Sequence, residues 1–235
     1  VLILALDTSS PAGSLAVLRD EKVIGVVSTW ADEIFSSRMF RQLEFLMGEL
    51  SLSLDKIDLF AVAAGPGSFT GLRVGLTAAK GWAEVYGKPI AAVSALEAVA
   101  IQSHSQASLI VPVTDARRGQ LYFGLYRRAE SVAQSELALE GDECAATPAE
   151  FLQTLHERAR NSPFTIATPT PEMIPEAASR IETAPSPIER VSNVLAPLIG
   201  QIGLRHAQRG KLFDALSLDA NYVRRSDAEA KWKDS

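Results

Sequence analysis

The chain has 235 residues and a mass of 25.3 kDa, with 47% hydrophobic and 22% charged side chains, which suits one large domain or two small ones and excludes wholesale disorder. A formal charge of -5 and a pI near 5.3 exclude the overall electrostatic footprint of an autonomous nucleic-acid binder. No apolar run reaches the ~20 residues of a membrane span, the opening Val1-Leu2-Ile3-Leu4-Ala5-Leu6 reads as a strand and not as a signal-peptide lead, and the single Cys144 allows neither a disulfide nor a thiolate cluster, so a cytoplasmic protein is expected.

The first thirty residues predict three short strands, Leu2 to Thr8, Ser14 to Arg19 and Lys22 to Thr29, turned by Pro11-Ala12-Gly13 and Asp20-Glu21. Phe35, Met39, Leu43, Leu46 and Leu50 then recur at helical spacing and predict a helix over Ile34 to Leu50. Leu59 to Ala64 is a short apolar run that suits a buried strand. A glycine-rich turn follows, then a second helix from about Thr70 to Tyr86, stopped by Gly87-Lys88-Pro89. Ile90 to Val93 reads as another strand, and Ser94-Ala95-Leu96-Glu97 has the form of a capping box that starts a third helix.

Strands resume at Leu109 to Thr114, Gln120 to Tyr126 and Val132 to Leu139, an echo of the opening pattern that suggests two similar lobes. Thr147-Pro148-Ala149-Glu150 combines a capping box with an early proline and predicts a helix over about Pro148 to Arg160. Six prolines crowd the stretch 161–190, which reads as irregular apart from the stub Phe164 to Ala167. Val191, Val194, Leu195, Leu198 and Ile202 restore a helical stripe up to Gly210, with Pro197 kinking it unless the helix begins there. The tail from Asn221 carries Arg224, Arg225, Lys231, Trp232 and Lys233, as either a frayed terminus or a partner contact.

Three strand-end turns carry residues suited to ligands. In Asp7-Thr8-Ser9-Ser10 an acid ends an apolar strand, either as an Asx turn or with hydroxyls facing a phosphate. Gly65-Pro66-Gly67-Ser68-Phe69-Thr70-Gly71 precedes a helix and matches neither a Walker A loop nor the Rossmann spacing. Its bare backbone suits an anion at the helix start, or is a plain tight turn. Asp115-Ala116-Arg117-Arg118-Gly119 offers two guanidinium groups for phosphate or carboxylate, or is a solvated hairpin turn. Gly71, Gly75 and Ala79 share one helix face at a cost of ~1 kcal/mol per glycine, so another backbone should approach there, from the first helix or from a second protein. His104, His156 and His206 lie too far apart in sequence for a helix-borne metal site, and no Ser-His-Asp constellation can be read.

Leu4-Ala5-Leu6-Asp7-Thr8-Ser9, the run Gly65-Pro66-Gly67-Ser68-Phe69-Thr70-Gly71-Leu72-Arg73-Val74-Gly75 with Ala79-Lys80-Gly81, Val93-Ser94-Ala95-Leu96-Glu97, and Asp115-Ala116-Arg117-Arg118-Gly119 together resemble the TsaB (YeaZ) family. The likeness covers Val1 to Tyr126 and returns at Tyr222-Val223-Arg224, with departures at Phe35, where many relatives have histidine, and at Ala64, where they have a basic residue. The resemblance implies an α/β fold of the actin, Hsp70 and sugar-kinase (ASKHA) type with two ribonuclease-H-like lobes. Residues 1–104, completed by the helix at about 191–210, would form one lobe, 105–190 the other, and 211–235 a C-terminal segment and tail.

The implied role is that of a non-catalytic subunit in making N6-threonylcarbamoyladenosine at position 37 of ANN-decoding tRNAs. Its partners would be a TsaD-type catalytic subunit and a TsaE-type ATPase, with homodimers in isolation, tRNA met only through the complex, no intrinsic cofactor or metal, and ATP and Mg at the partner subunits. The resemblance carries the partner interface to Met39, Leu43, Leu46, Gly71, Leu72, Gly75, Leu76 and Ala79. It leaves Asp7, Thr8, Ser9, Gly65, Gly67, Ser68 and Asp115 as a degenerate nucleotide site, and Arg73, Arg117 and Arg118 as phosphate or partner contacts. The alternative is an autonomous ATP-dependent kinase or ATPase of the same fold, with Asp7 near a metal and the Gly65 to Gly71 turn at phosphate.

Overall fold

The computed structural model describes residues 1–30, 35–128, 137–159, 162–174, 188–221 and 223. They form two compact units, Val1–Ala95 with Val194–Tyr222, and Leu96–Asn193. The division thus falls at Ala95 and not at 104, and residues 211–221 belong with the first unit.

In the first unit, β1 (Leu2–Asp7), β2 (Ser14–Arg19) and β3 (Lys22–Ser28) form an antiparallel meander, and β4 (Leu59–Gly65) and β5 (Ile90–Ser94) join β1 in parallel. The order is β3-β2-β1-β4-β5. Parallel neighbours need a crossover, and α1 (Phe35–Glu49) and α2 (Phe69–Tyr86) supply the two required. Alternation along the strands sends Leu4, Leu6, Leu15, Val17, Phe60 and Val62 to the side covered by these helices, in one buried cluster with Met39 and Leu72. The opposite face, with Ala61 and Ala91 beside Leu18, takes α5 (Ala196–Gln208). A Cβ on Gly203 would stand 2.7 Å from the Ala61 methyl, so glycine is what lets this helix lie so close. Pro197 is tolerated because the helix begins beside it, and Val191 and Val194 precede it.

The second unit repeats the plan. β6 (Leu109–Arg117), β7 (Gln120–Phe123) and β10 (Cys144–Ala146) run antiparallel, while β11 (Phe164–Thr168) and β12 (Ile188–Arg190) add to β6 in parallel, in the order β10-β7-β6-β11-β12. Each unit is therefore a ribonuclease-H-like lobe, and the chain has the α/β architecture of the actin, Hsp70 and sugar-kinase type. β8 (Tyr126–Arg128) and β9 (Leu137–Leu139) pair beside β6. α4 (Pro148–Arg158) begins with both arms of its capping box formed, and its Phe151 meets Phe123 edge-on at 5.0 Å.

Several expectations are corrected. The strand expected over Gln120 to Tyr126 is two strands broken at Gly124-Leu125, the third helix, α3 (Ala95–Ala100), is a stub, and the stretch 161–190 carries, besides β11 at the expected stub, the unexpected strand β12. Residues 132–136, 175–187 and the basic tail lie outside the described residues. Among the described residues no helix is long and apolar enough to cross a membrane.

Candidate functional site

The turn between β1 and β2 and the turn between β4 and α2 are pressed together. Ser68 N–H donates to the Ser9 carbonyl (2.8 Å), and the Ser68 hydroxyl, as N-cap, accepts from Gly71 N–H (3.3 Å). A Cβ on Gly67 would stand 2.6 Å from Ser9 Cβ, one on Gly71 2.0 Å from the Thr8 carbonyl oxygen, and one on Gly75 2.4 Å from Thr8 Oγ1. The backbone that approaches the glycine face of α2 is thus the end of β1, not the first helix and not a second protein. Gly65 has a different partner. Its φ of +121° and the Asn221 carbonyl oxygen, 2.5 Å from where its Cβ would be, both require glycine, and Asn221 N–H donates to the Ala64 carbonyl.

Asp7 is fully buried and its carboxyl is pushed up to about 6, by burial, against the lowering effect of Ser9. Its Oδ1 accepts from the Ser9 hydroxyl (2.6 Å) and the Ser9 N–H (2.9 Å), while Asp7 Oδ2, Thr8 Oγ1 and Ser10 Oγ are buried without partners. Two donors at this turn are spent internally, Ser9 N–H on Asp7 and Ser68 N–H on Ser9, and the room beside Thr8 and Ser9 is filled by α2. Asp115, grouped with these residues by sequence, belongs to the second unit. Among the described residues no three His, Cys, Asp or Glu side chains gather as a metal site.

Met39, Leu43, Leu46, Gly71, Leu72, Gly75, Leu76 and Ala79, expected at a partner interface, are all buried within the first unit. The reason is general: the spacing that reveals an apolar stripe reveals the face turned to the sheet. The outward face of α1 and α2 is a different set. Phe40 is 55% exposed, stands edge-on to Trp82 with centroids 6.5 Å apart, and lines with Phe69, Arg73, Val74 and Trp82 a groove of about 620 Å³. Arg73, named by the sequence, lies over the Phe69 ring at 3.8 Å and places a guanidinium in this mainly apolar groove, which Thr70 and Thr77 also line. Phe40 was missed because it stands off the stripe of α1, and Trp82 because it sits at the edge of the buried face of α2, half-buried against Phe60. The signal for Phe40 was its excess over that stripe.

Arg117 and Arg118 lie at the tip of the β6–β7 hairpin. Arg118-Gly119 is a two-residue loop with φ of +54° and +72°, and Arg117 before it has φ +64°. The Asp115 carboxylate accepts from Arg117 N–H (2.6 Å) and lies 3.9 Å from its Nε.

Comparison with known proteins accords with this geometry. The family model described as TsaD, tRNA N6-adenosine threonylcarbamoyltransferase, matches residues 16–181. A Bacillus subtilis protein named tRNA threonylcarbamoyladenosine biosynthesis protein TsaB is 31% identical over 238 residues, 99% of this chain and 98% of its own length. A Haemophilus influenzae protein of the same name is 36% identical over about half of each chain (52%). Among solved structures, a Pseudomonas aeruginosa protein described as similar to the peptidase YeaZ superposes with a TM-score of 0.74 at 24% identity, over 95% of this chain and 99% of that one.

Proposed function

Since the chain belongs to the TsaB (YeaZ) family, with a role in tRNA threonylcarbamoyladenosine biosynthesis, we propose that it is the non-catalytic subunit that docks a TsaD-type catalytic subunit through the outward face of α1 and α2. The observation that carries this reading is the groove at Phe40, Phe69, Val74 and Trp82, aromatic and aliphatic over most of its lining and bearing the Arg73 cation, a composition suited to an interface. Aromatic side chains on rigid helices lose little entropy on docking, and burying Phe40 and Trp82 supplies the central contact. In isolation the same face pairs with a second copy. The TsaE-type ATPase and tRNA meet the chain through the complex, and ATP and Mg are held by the partner subunits.

The inward commitment of the donors around Asp7, Ser9 and Ser68 weighs against the alternative of an autonomous kinase or ATPase. Reconstitution tests the reading. The chain with its cognate TsaD- and TsaE-type partners and the enzyme that makes threonylcarbamoyl-adenylate should modify an ANN-decoding tRNA, with no product when this chain is left out. Turnover of Mg-ATP by the chain alone would contradict it.

A further inference from the structure

From the hairpin tip of the second unit we infer that Arg117 and Arg118 contact the phosphate backbone of the tRNA once the complex is assembled. The inference rests on the function proposed above and adds to this chain a nucleic-acid contact of its own. Asp115, Arg117, Arg118 and Gly119 are the exposed residues of the tip, and none of them is apolar. A protein interface needs an apolar centre, which the α1–α2 groove has and this tip lacks, whereas phosphate oxygens need only cations that reach them.

The backbone presents those cations deliberately. Three successive residues hold positive φ, two of them arginines where glycine, asparagine or aspartate would fit at less strain. Such strain persists where the surroundings enforce it and is concentrated at functional positions. Here the β6–β7 ladder and the Asp115 carboxylate on Arg117 N–H enforce it. Among the described residues, nothing comes within 4 Å of where a Cβ on Gly119 would stand, so the end of the loop is open at that point. In a chain of net charge -5, attraction for a polyanion must come from such a local cluster. Among the described residues, the charged side chains of the tip itself are those of Arg117, Arg118 and Asp115, the last 38% exposed and offsetting part of the arginines' charge.

The test uses the assembled complex and fluorescently labelled tRNA, with affinity measured by anisotropy across a KCl series. Arg117→Gln with Arg118→Gln should weaken binding about tenfold or more and reduce the slope of log K against log salt by about 1.5, as expected for two lost phosphate contacts. Arg117→Lys with Arg118→Lys should restore the slope, since phosphate is met by charge. Asp115→Asn keeps the oxygen that holds Arg117 N–H and removes the opposing charge, and should tighten binding severalfold without any risk to the fold from lost arginines. Unchanged affinity and slope in both the Gln pair and Asp115→Asn would overturn the inference. Loss of TsaD-type binding by a folded Gln pair would also overturn it, by making the tip a protein contact. Assembly of the wild-type complex is sized first: its failure refutes the proposed function and this inference together, whereas assembly with an unchanged salt slope refutes this inference alone.

Discussion

Gly71→Ala and Gly75→Ala separate the two explanations for the bare face of α2, because a methyl at each position meets a different part of Thr8. At Gly71 the obstacle is the Thr8 carbonyl oxygen, 2.0 Å from the new carbon, which is backbone and cannot rotate away. At Gly75 it is Thr8 Oγ1 at 2.4 Å, with Cγ2 and Cβ at 3.3 and 3.4 Å, a side chain that makes no hydrogen bond through its hydroxyl. Overpacking costs ~1–3 kcal/mol, set against the ~1 kcal/mol that alanine gains over glycine inside a helix. The net loss should be about 2 kcal/mol for Gly71→Ala and about 1 kcal/mol for Gly75→Ala. Adding Thr8→Ala removes the obstacle at Gly75 and should recover most of that loss, but it leaves the carbonyl in place and should not rescue Gly71→Ala. Urea unfolding followed by tryptophan fluorescence is a suitable assay, because Trp82 packs on Phe60 inside the same unit, with ring centroids 5.7 Å apart. Gly71→Ala as stable as the wild type, or more stable, would refute the closure of α2 on the end of β1.

Three further outcomes follow from the same geometry. Asp7 binds its proton more tightly in the folded state, at about 6 against 3.8, so its contribution is fully present below the unfolded value and is lost as pH rises through the folded one. Wild type minus Asp7→Asn should therefore show a stability difference falling by roughly 2 kcal/mol between about pH 4 and 7, and a flat difference in pH-resolved urea titrations would contradict it. Thr147→Ala removes the side-chain acceptor of the α4 capping box and should cost the second unit about 1 kcal/mol, read by hydrogen exchange in α4. Gly65→Ala places a methyl against the Asn221 carbonyl at a φ that L-residues rarely adopt, and should lower the melting temperature by more than Gly81→Ala, where a Cβ meets nothing within 4 Å.

Much of the architecture was legible from residue patterns. The meander of β1 to β3 followed from alternation and turn residues, and α4 from a capping box with proline at its start. β10 and β12 were hidden because three-residue strands are too short for a period, and β12 also follows a proline-rich stretch. At the site, the sequence marked Asp7-Thr8-Ser9-Ser10 and Gly65 to Gly75 as separate turns suited to ligands, and the glycines of α2 as a place of close approach. It could not say what approaches, because the spacing of Gly71 and Gly75 fixes a face but not its neighbour. The same limit applied to the interface: helical periodicity found Met39, Leu43 and Leu72, which face the core, while Phe40 and Trp82 stand out only once the sheet side is known.

The docking face is tested most directly by titrating the cognate TsaD-type subunit into this chain and its Phe40→Glu variant by calorimetry. Phe40 is exposed, so the substitution should leave folding within about 1 kcal/mol of the wild type, while a carboxylate set beside Trp82 in the apolar groove should weaken the complex at least a hundredfold, at about 3 kcal/mol. A wild-type complex that Phe40→Glu abolishes is the predicted result. Equal affinity of the two proteins, or no complex with either, would contradict the account.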